Sequence, residues 1–553
     1  MRLCFIWIEK FKGLSDISLN LSPEFKFKFD LKSNKLIKEI NEQFISNLFS
    51  PTISSVTAIV GKNGSGKSNC LELICTVLDG SIHRIDTNFI SVIEHDGIFY
   101  INHSFEEGFK ASFSYLIVDD KKKAKGLNTI LFSNVHDERL YQFTGDVIAV
   151  TANNGYGYDR HLNIKSNNIE SLFSTQLNLI IKHNKILNDE IKIEIPQYIS
   201  IDFRFIFSYR KPYHGGEFFR AFRKRISDMT SYENKLLCMI KYTFLIKLID
   251  IREFYFRNKK TKTLEFKANE STDSFLNNSI IEMINEIKEL ESEGEFTNTT
   301  YNDLFKKIND NHENIIFINE EIDQLSVSLI DNPVNLKKQS FKINFNKKTY
   351  RVIKRICEIS DFNKIMRMDW IGISSGTKAY LTLLSVLYDK LLKRKNDHLI
   401  CIDEGDLYLH PAWQIDFLYN LNKILPKFSN SKIQLVLTSH SPFLLTDLPR
   451  ENIIILDDKK VIEDNILDEK LKTFGSNIYE LYNNAFFLEG KRFGTFAEEH
   501  ISNIINKIEK NTNKESGITN TENIENIDKI EKLINIIGDN LLRNSLKRLI
   551  KND

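Results

Sequence analysis

The feature that most constrains the fold is one glycine-rich octapeptide, Gly61-Lys62-Asn63-Gly64-Ser65-Gly66-Lys67-Ser68. It fits the pattern G-x-x-x-x-G-K-[ST], follows the β-branched run Val56–Val60 and precedes apolar residues at helical spacing. A phosphate-binding loop requires this strand–loop–helix context. Glycines let the backbone wrap a phosphate, and the N–H groups at the helix N-terminus face its charge. A chance glycine-rich turn is the weaker alternative, because both flanking elements are predicted.

We therefore expect this loop to bind ATP together with Mg²⁺. Lys67 should reach the β- and γ-phosphates, and the Ser68 hydroxyl should coordinate the magnesium ion. The expected nucleotide-binding residues run through the loop and one residue beyond it: Gly61, Lys62, Asn63, Gly64, Ser65, Gly66, Lys67, Ser68 and Asn69.

Two acidic residues, Asp403 and Glu404, follow the apolar run Leu399–Ile402. A carboxylate at the tip of a central strand would face the phosphate loop. Asp403 is expected to hold Mg²⁺ through water, and Glu404 to orient or deprotonate the attacking water. Acids after strands are often simply solvated turn residues. The complete phosphate loop upstream makes the catalytic interpretation the stronger one.

Two further motifs would be weak alone. Ser374-Ser375-Gly376 precedes a helix with leucines on one face, and a helix N-terminus of this kind is either a second anion site or an ordinary cap. His440 follows the apolar run Ile433–Thr438 and is either a group that bonds a terminal phosphate and senses its loss, or a satisfied loop histidine. The order of all four motifs along the chain favours the functional interpretation of both.

Composition excludes several classes of protein. The 553 residues correspond to roughly three or four domains. With 75 Lys and Arg against 74 Asp and Glu, the chain is neither a histone-like cation nor an acidic tail. Six cysteines without a CxxC pair exclude a disulfide scaffold and a sequence-evident zinc site, which fits a cytoplasmic protein. We predict no signal peptide and no membrane span, since the most apolar segment, Leu236–Phe256, is interrupted by charges.

The pattern of elements predicts an α/β fold in four segments. Residues 1–160 carry the phosphate loop and short alternating runs over 89–151, which we expect to form an antiparallel sheet. Residues 161–365 are a mostly helical insertion. Residues 366–460 contain continuous apolar runs, typical of strands buried on both faces of a parallel sheet. Residues 461–553 are expected to be a helical C-terminal tail.

Charge is polarised within the insertion. Residues 204–262 hold 15 basic and 5 acidic residues, whereas residues 270–331 hold 3 basic and 15 acidic ones. The basic clusters Arg220–Arg225 and Arg257–Lys262 are interleaved with phenylalanine and tyrosine, as in a groove that binds nucleic acid. Alternatively, the basic half pairs with the acidic half and the aromatic residues are core. The sequence leaves both interpretations open.

The order of motifs resembles the ABC-type ATPase heads of the SMC, RecF and overcoming-lysogenization groups, through GKNGSGKS, ISSGT, LICIDE and TSH. The resemblance covers about 1–160 and 366–460. The run Asp403–Pro411 looks like the DEPE-x-x-LHP variant of the overcoming-lysogenization branch, and it lacks the SALD of transporters. Ser375 replaces the first glycine of the usual LSGGQ, and the Q-loop has only a weak candidate at Val150–Asn154. Lys10-Phe11-Lys12 looks like a turn whose basic residue touches nucleotide in RecF-like heads.

Motifs in the C-terminal region indicate which group of ABC-type ATPases the chain resembles. Phe486–Gly490 imitates the opening of a Toprim nuclease domain, but no Asp-x-Asp follows for the second metal site, so we reject a Toprim domain. Phe486-Phe487 with Gly494 and Ala497 instead resembles the PtuA family, the ATPases of Septu and Septu-like retron defence systems. That resemblance implies a separate HNH nuclease of the PtuB type as partner and, in retrons, a reverse transcriptase with its RNA-linked DNA.

The resemblance also implies a role. It predicts a slow ATPase that senses or regulates in an anti-phage complex, with Glu404 and His440 catalytic. It further predicts a head-to-head dimer, or a higher oligomer, in which Ser374, Ser375 and Gly376 complete the ATP site of the other copy. Two alternatives stay open. A RecF- or SMC-like repair ATPase is one, although the insertion is too short and irregular for an SMC coil. A self-contained ATPase-nuclease of the overcoming-lysogenization type is the other, and intrinsic DNA cleavage would identify it.

Overall fold

The protein is described by a computed structural model that covers residues 1–79, 85–106, 108–118, 127–135, 143, 147–151, 172–203, 222, 224–255, 270–292, 299–330, 339–363, 365–462, 472–485, 494–512 and 530–551. The chain forms two units, Met1–Ile478 and Tyr479–Asp553. Each is described by itself below.

A seven-stranded sheet is the core of the first unit. Its order is β11-β10-β16-β17-β5-β18-β19, and every neighbouring pair is parallel except the terminal hairpin β18-β19. The apolar runs predicted as parallel strands are buried on both faces, which confirms that prediction. The strands are β5 (Ile53–Gly61), β10 (Leu127–Ser133), β11 (Val147–Thr151), β16 (Asp397–Asp403), β17 (Ile433–Thr438), β18 (Ile453–Asp457) and β19 (Lys460–Val461).

Two smaller sheets form an N-terminal β subdomain. One has the order β2-β1-β6-β7-β9 and the other β3-β4-β8. A cluster of aromatic rings lies between them; the ring centroids of Trp7 and Phe29 are 4.6 Å apart, and Lys38 Nζ lies 4.2 Å from the Phe99 ring centroid. The strands are β1 (Arg2–Phe11), β2 (Leu14–Asn20), β3 (Phe25–Asp30), β4 (Lys35–Ile40), β6 (Phe89–His95), β7 (Ile98–His103), β8 (Lys110–Ala111) and β9 (Tyr115–Ile117).

The segment 89–151 corrects one prediction. Its first part joins the antiparallel sheet as expected, through β6 and β7. Strands β10 and β11, however, belong to the parallel core sheet, and Ser133 of β10 pairs with Asp403 of β16. All seven residues of β10 are buried, which is the burial of a central parallel strand.

The insertion combines helices with a sheet that the mostly helical prediction missed. Its strands β12 (Tyr198–Phe203), β13 (Val327–Leu329) and β14 (Gln339–Asn344) form an antiparallel sheet of order β13-β14-β12-β15 with β15 (Arg367–Ile371), which follows the insertion. These short strands lie between helices far longer than themselves, so the helical pattern dominates the sequence. The helices of the first unit are α1 (Lys67–Leu78), α2 (Leu172–Lys185), α3 (Tyr232–Tyr255), α4 (Thr272–Ser292), α5 (Thr299–Glu321), α6 (Tyr350–Asn363), α7 (Ser375–Leu392), α8 (Pro411–Ile415), α9 (Phe417–Phe428) and α10 (Phe443–Thr446).

A buried chain of hydrogen bonds ties the insertion to helix α7. The indole N–H of Trp370 in β15 donates to Gln176 Oε1 of α2 over 2.9 Å. The amide of Gln176 donates in turn to Thr382 Oγ1 of α7 over 3.0 Å. All three side chains are buried. Strand β15, helix α2 and helix α7 are therefore packed as one unit.

Two cations of the basic half pair with the acidic half, whereas Lys224 and Phe254 are exposed. Buried Lys241 of α3 bonds Asp273 of α4 over 2.6 Å, and buried Arg252 bonds Glu286 over 2.9 Å. The ring of buried Phe222 stacks on a core tyrosine. For these residues the core interpretation holds. Nucleic-acid binding through 204–262 stays a prediction. Several members of the two predicted clusters and their aromatic neighbours lie outside the described residues: Phe218, Phe219, Arg220, Arg223, Phe256, Arg257, Lys259, Lys260 and Lys262.

The second unit is a small helical assembly. Its helices are α11 (Ile478–Ala485), α12 (Thr495–Thr512) and α13 (Asn540–Lys551). Its core consists of Ile504, Ile530, Ile534, Ile537 and Leu546. Phe486 and Phe487 lie outside the described residues. Among the helices that the structure describes, none is long and apolar enough to cross a membrane.

The buried ammonium of Lys241 gives a stability prediction. Asp273→Ala leaves that charge with Asn319 as its remaining oxygen partner at 2.9 Å, so we expect a loss of about 2 to 4 kcal/mol in the free energy of unfolding. Lys241→Met removes the charge and keeps the packing volume, so its cost should stay below about 1.5 kcal/mol. Glu282→Ala, an exposed acid on the same helix, is the control. Urea unfolding measures all three, and equal costs for the first two would contradict the ion-pair interpretation.

Candidate functional site

The phosphate loop lies where the sequence places it, between the end of β5 at Gly61 and the start of α1 at Lys67. Gly64 and Gly66 have φ values of 77° and 100°, the left-handed region that favours glycine. The Lys67 ammonium donates to the carbonyl oxygens of Gly61 at 3.0 Å and Lys62 at 3.1 Å. Burial lowers the pKa of Lys67, against the opposing effect of Glu404 and Asp403. The cation thus lies inside the loop on two neutral acceptors, which charged phosphate oxygens would replace favourably.

Among the glycines of the phosphate loop, Gly61 has the closest contact with a neighbouring strand. It pairs with Leu456 of β18, and its φ is 152°. A Cβ atom at this position would lie far inside the contact distance of the Leu456 carbonyl oxygen. Only glycine fits there, so this end of the loop is held against a backbone that cannot move aside.

Asp403 is the centre of a cluster of hydroxyl groups. Its carboxylate is buried and accepts hydrogen bonds from Thr438 Oγ1 at 2.6 Å, Ser68 Oγ at 3.2 Å and Ser133 Oγ at 3.4 Å. The predicted magnesium ligands Ser68 and Asp403 are therefore in direct contact. One carboxylate and one hydroxyl beside a phosphate loop suit Mg²⁺, which keeps several waters and takes its remaining ligands from the nucleotide. In the described part of the chain no group of three or more His, Cys, Asp or Glu side chains forms a separate metal site.

Glu404 and His440 meet at the same edge. His440 Nε2 lies 3.0 Å from Glu404 Oε1, and the His440 side chain is about one-third exposed. Glu404 has a φ of 49°, and its backbone N–H donates to Thr438 Oγ1 over 3.0 Å. The two predicted catalytic side chains thus form one acid–base pair that solvent can reach.

Strand register explains why these residues converge. Strands β16, β17 and β5 are parallel neighbours, with Asp403 opposite Thr438 and Thr438 opposite Ile59. Carboxyl ends of parallel strands lie at one edge of a sheet, which is where ligands bind in open α/β folds. The carboxylate pair, the histidine and the phosphate loop therefore share that edge.

The Ser374-Ser375-Gly376 turn is the N-terminus of α7. Ser374 Oγ accepts from the backbone N–H of Thr377 over 3.0 Å, so this serine is a helix cap. A Cβ at Gly376 would lie 2.9 Å from the carbonyl oxygen of Tyr408, so glycine permits this close packing. Ser374 and Ser375 are exposed, and within the described residues neither makes a hydrogen bond to its own phosphate loop. The structure does not bring this turn into the site formed by the other three motifs.

Two contributors escaped the sequence analysis. Ser133 ends a buried apolar run, the same signal that identifies Asp403, but the sequence pattern predicts an antiparallel sheet for that run. Asp406 is buried, which raises the pKa of its carboxyl group, and it accepts from Ser439 Oγ over 2.6 Å. Ser441 Oγ is 3.0 Å from Gln414 Oε1 on the other side of the histidine loop. These bonds fix the loop that carries His440.

The comparison with protein families agrees with this geometry. Residues 1–445 match the AAA ATPase domain family. The chain belongs to that family. An ATPase domain implies nucleotide binding, and the α/β core with its phosphate loop is the expected scaffold for it.

Similar proteins come from defence systems. The chain is 34% identical over 115 residues to "Retron Vc95 probable ATPase" from Vibrio cholerae serotype O1 biovar El Tor, covering 19% of this chain and 20% of that protein. It is 23% identical over 170 residues to "Septu protein PtuA" from Bacillus mycoides (strain KBAB4), covering 27% and 23%, and 35% identical over 94 residues to "Septu protein PtuA" from Bacillus thuringiensis, covering 15% and 22%. The matched region spans about a fifth of the length of each relative. The resemblance to PtuA-like defence ATPases is confirmed.

The packing of the loop glycines gives a paired test. Gly61→Ala meets the Leu456 carbonyl and an unfavourable φ, so we expect a loss of about 3 kcal/mol or more in the free energy of unfolding. Gly64→Ala has an unfavourable φ but no atom within 4 Å of the new methyl group, so about 1 to 2 kcal/mol is expected. Thermal unfolding without nucleotide measures both. Similar melting temperatures for the two variants would contradict the close packing of Gly61.

Proposed function

We propose that the protein is an ABC-type ATPase that binds and hydrolyses ATP as the sensor or regulator of an anti-phage defence complex, in which a separate HNH nuclease makes the cut. One observation carries the chemical part. Asp403, Glu404 and His440 meet at the strand edge that bears the phosphate loop, with Asp403 already bonded to Ser68. The names of the Septu and retron relatives support the defence role.

Each side chain then has a defined task. The backbone from Gly61 to Asn69 and the Lys67 ammonium bind the triphosphate. Ser68 and Asp403 would hold Mg²⁺, which when bound neutralises charge on the phosphate oxygens. Glu404 orients the attacking water and accepts its proton. His440, through its bond to Glu404, positions that carboxylate and reports loss of the γ-phosphate.

We further propose that the site is completed by a second copy of the chain. Support comes from the exposed Ser374 and Ser375 at the N-terminus of the eighteen-residue helix α7. Such an N-terminus presents N–H groups and a partial positive charge suited to a phosphate. In the proposed head-to-head dimer, or in a higher oligomer built from it, this turn contacts the ATP held by the other copy.

The proposed partners follow from the relatives. A PtuB-like HNH nuclease is the proposed effector, and a system of the retron kind would add a reverse transcriptase with its RNA-linked DNA. The basic segment 204–262 remains a candidate contact for nucleic acid through its cations outside the described residues.

Glu404 gives the direct test of the site. Glu404→Gln keeps the shape of the side chain but removes the base, so ATP hydrolysis should fall about 100-fold or more while ATP binding persists and a dimer accumulates. Lys67→Ala should abolish binding, because it removes the phosphate counter-charge. Phosphate release and size-exclusion chromatography with ATP measure both. Hydrolysis by Glu404→Gln at the unmodified rate would show that Glu404 is not the catalytic base.

The turn at Ser374 tests the second-copy proposal separately. Ser374→Arg adds a bulky side chain at the proposed dimer contact, so turnover and ATP-dependent dimerisation should both be lost while ATP binding by the monomer is retained. Ser429→Arg, a change at the C-terminal end of α9, is the control. Full turnover by Ser374→Arg would contradict the proposal.

Control of a separate nuclease has its own assay. The purified chain alone should leave plasmid and linear DNA intact with Mg²⁺ or Mn²⁺. Addition of a PtuB-like HNH protein should give DNA cleavage, and the extent of cleavage should differ when Glu404→Gln, which is expected to keep ATP bound, replaces the unmodified chain. Cleavage by the pure chain that survives mutation of Asp403 and Glu404 would instead identify a self-contained nuclease.

A further inference from the structure

A strained hairpin lies beside the phosphate loop. Strands β18 and β19 are joined by the two-residue turn Asp458-Lys459, since Asp457 pairs with Lys460. The φ values of Asp458 and Lys459 are 43° and 63°. Two-residue hairpin turns with both central φ values positive favour Asn-Gly, Asp-Gly or Gly-Gly. The aspartate is therefore a usual residue for this turn, whereas the lysine occupies the second central position, where glycine is preferred.

The turn is packed against the phosphate loop itself. Lys62 Nζ lies 3.7 Å from Asp457 Oδ1. The Lys459 side chain runs from Gly66 to Gly13: its Cγ lies 4.0 Å from the position of a Cβ at Gly66, and its Nζ lies 3.5 Å from the corresponding position at Gly13. Because these two glycines have no side chains, the Lys459 side chain has room to lie along them.

Among the described residues, the lysines near Lys459 lie beside acidic side chains, but Lys459 does not. Lys12, in the adjoining turn, is paired with Glu72, and Lys62 lies near Asp457. Lys459 is exposed and makes no ion pair or hydrogen bond within the described part of the chain. A strained turn thus presents an uncompensated positive charge next to a loop built to bind an anion.

Sheet order shows which part of a nucleotide would meet this charge. Strand β5 bears the loop; β17 and β16, with His440 and Glu404, lie on one side of it, and the β18-β19 hairpin lies on the other. In the proposed function the γ-phosphate would face the catalytic side. The α-phosphate and ribose, which would continue from the loop in the opposite direction, would then face the hairpin.

We infer that Lys459 is a further nucleotide-binding residue, whose ammonium contacts the α-phosphate and ribose edge of a nucleoside di- or triphosphate. The inference rests on the proposed function. It explains why the turn keeps a lysine in a left-handed conformation. Because the γ-phosphate is not involved, ATP and ADP should gain equally from this contact.

The test measures binding of Mg·ATP and Mg·ADP to the full chain by titration calorimetry. Lys459→Met keeps the aliphatic stem and removes the charge, so both dissociation constants should rise about 5- to 20-fold. Lys459→Arg keeps the charge and should restore most of the affinity. Lys460→Met, the next residue along the hairpin, is the matched control and should bind as the unmodified chain does.

Glycine variants separate binding from stability. Lys459→Gly relieves the left-handed conformation, so its melting temperature should equal or exceed that of the unmodified chain while both affinities fall. Asp458→Gly relieves the same turn without removing the lysine, and its affinities should be unchanged.

The outcomes that would overturn the inference are distinct. Unchanged affinities in Lys459→Met exclude the contact. Loss of affinity for ATP alone would place Lys459 at the γ-phosphate and refute the assigned position. An unmodified chain that binds neither nucleotide would refute the proposed function and this inference together, whereas normal binding by both the unmodified chain and the variant refutes this inference alone.

Discussion

The candidate site depends on the register in which three parallel strands end. Asp403, Thr438 and Ile59 lie side by side on β16, β17 and β5, so the carboxylate, the hydroxyl that orients it and the first residues of the phosphate loop are neighbours. A slip of one residue in any of these strands would turn its side chains to the opposite face. The short bond from Thr438 to Asp403 exists only in this register. Burial of the apolar runs on both faces therefore fixes the positions of the candidate site residues as well as the fold.

The sequence predicted those parts of the candidate site whose signals lie within a short stretch of the chain. The glycine-rich loop, the apolar strands before Asp403 and His440 and the helix after Ser374 each carry their signal within about ten residues. Ser133 does not, because its role comes from pairing with a strand about 270 residues later in the chain. A buried apolar run of seven residues fits a parallel or an antiparallel strand equally, and only the tertiary partner decides.

The same distinction applies to the insertion. The separation of basic and acidic residues was visible in the sequence. Whether the basic residues form a nucleic-acid groove or internal ion pairs depended on which cations face which acids. Lys241 and Arg252 lie on one helix, and the next helix supplies Asp273 and Glu286 at matching positions. Strand β15 adds a connection that no sequence pattern indicated, since it passes from the insertion sheet directly to the Ser374 turn and is tied to α7 through Gln176.

The site also keeps backbone conformations that stability alone would not favour. Glu404 has a left-handed φ at the end of β16, a conformation that costs of order 1 to 3 kcal/mol in a non-glycine residue. The neighbouring Gly405 leaves no room for a side chain, because a Cβ there would lie 2.5 Å from Ile402 Cγ2. Glycine at 405 therefore suits the tight turn, and the left-handed strain falls on Glu404, the proposed catalytic carboxylate. Bonds from the Glu404 N–H to Thr438 offset part of that strain and hold the carboxylate beside His440. Strained backbone of this kind occurs at functional sites, where the surrounding structure holds a side chain in position at a cost in stability.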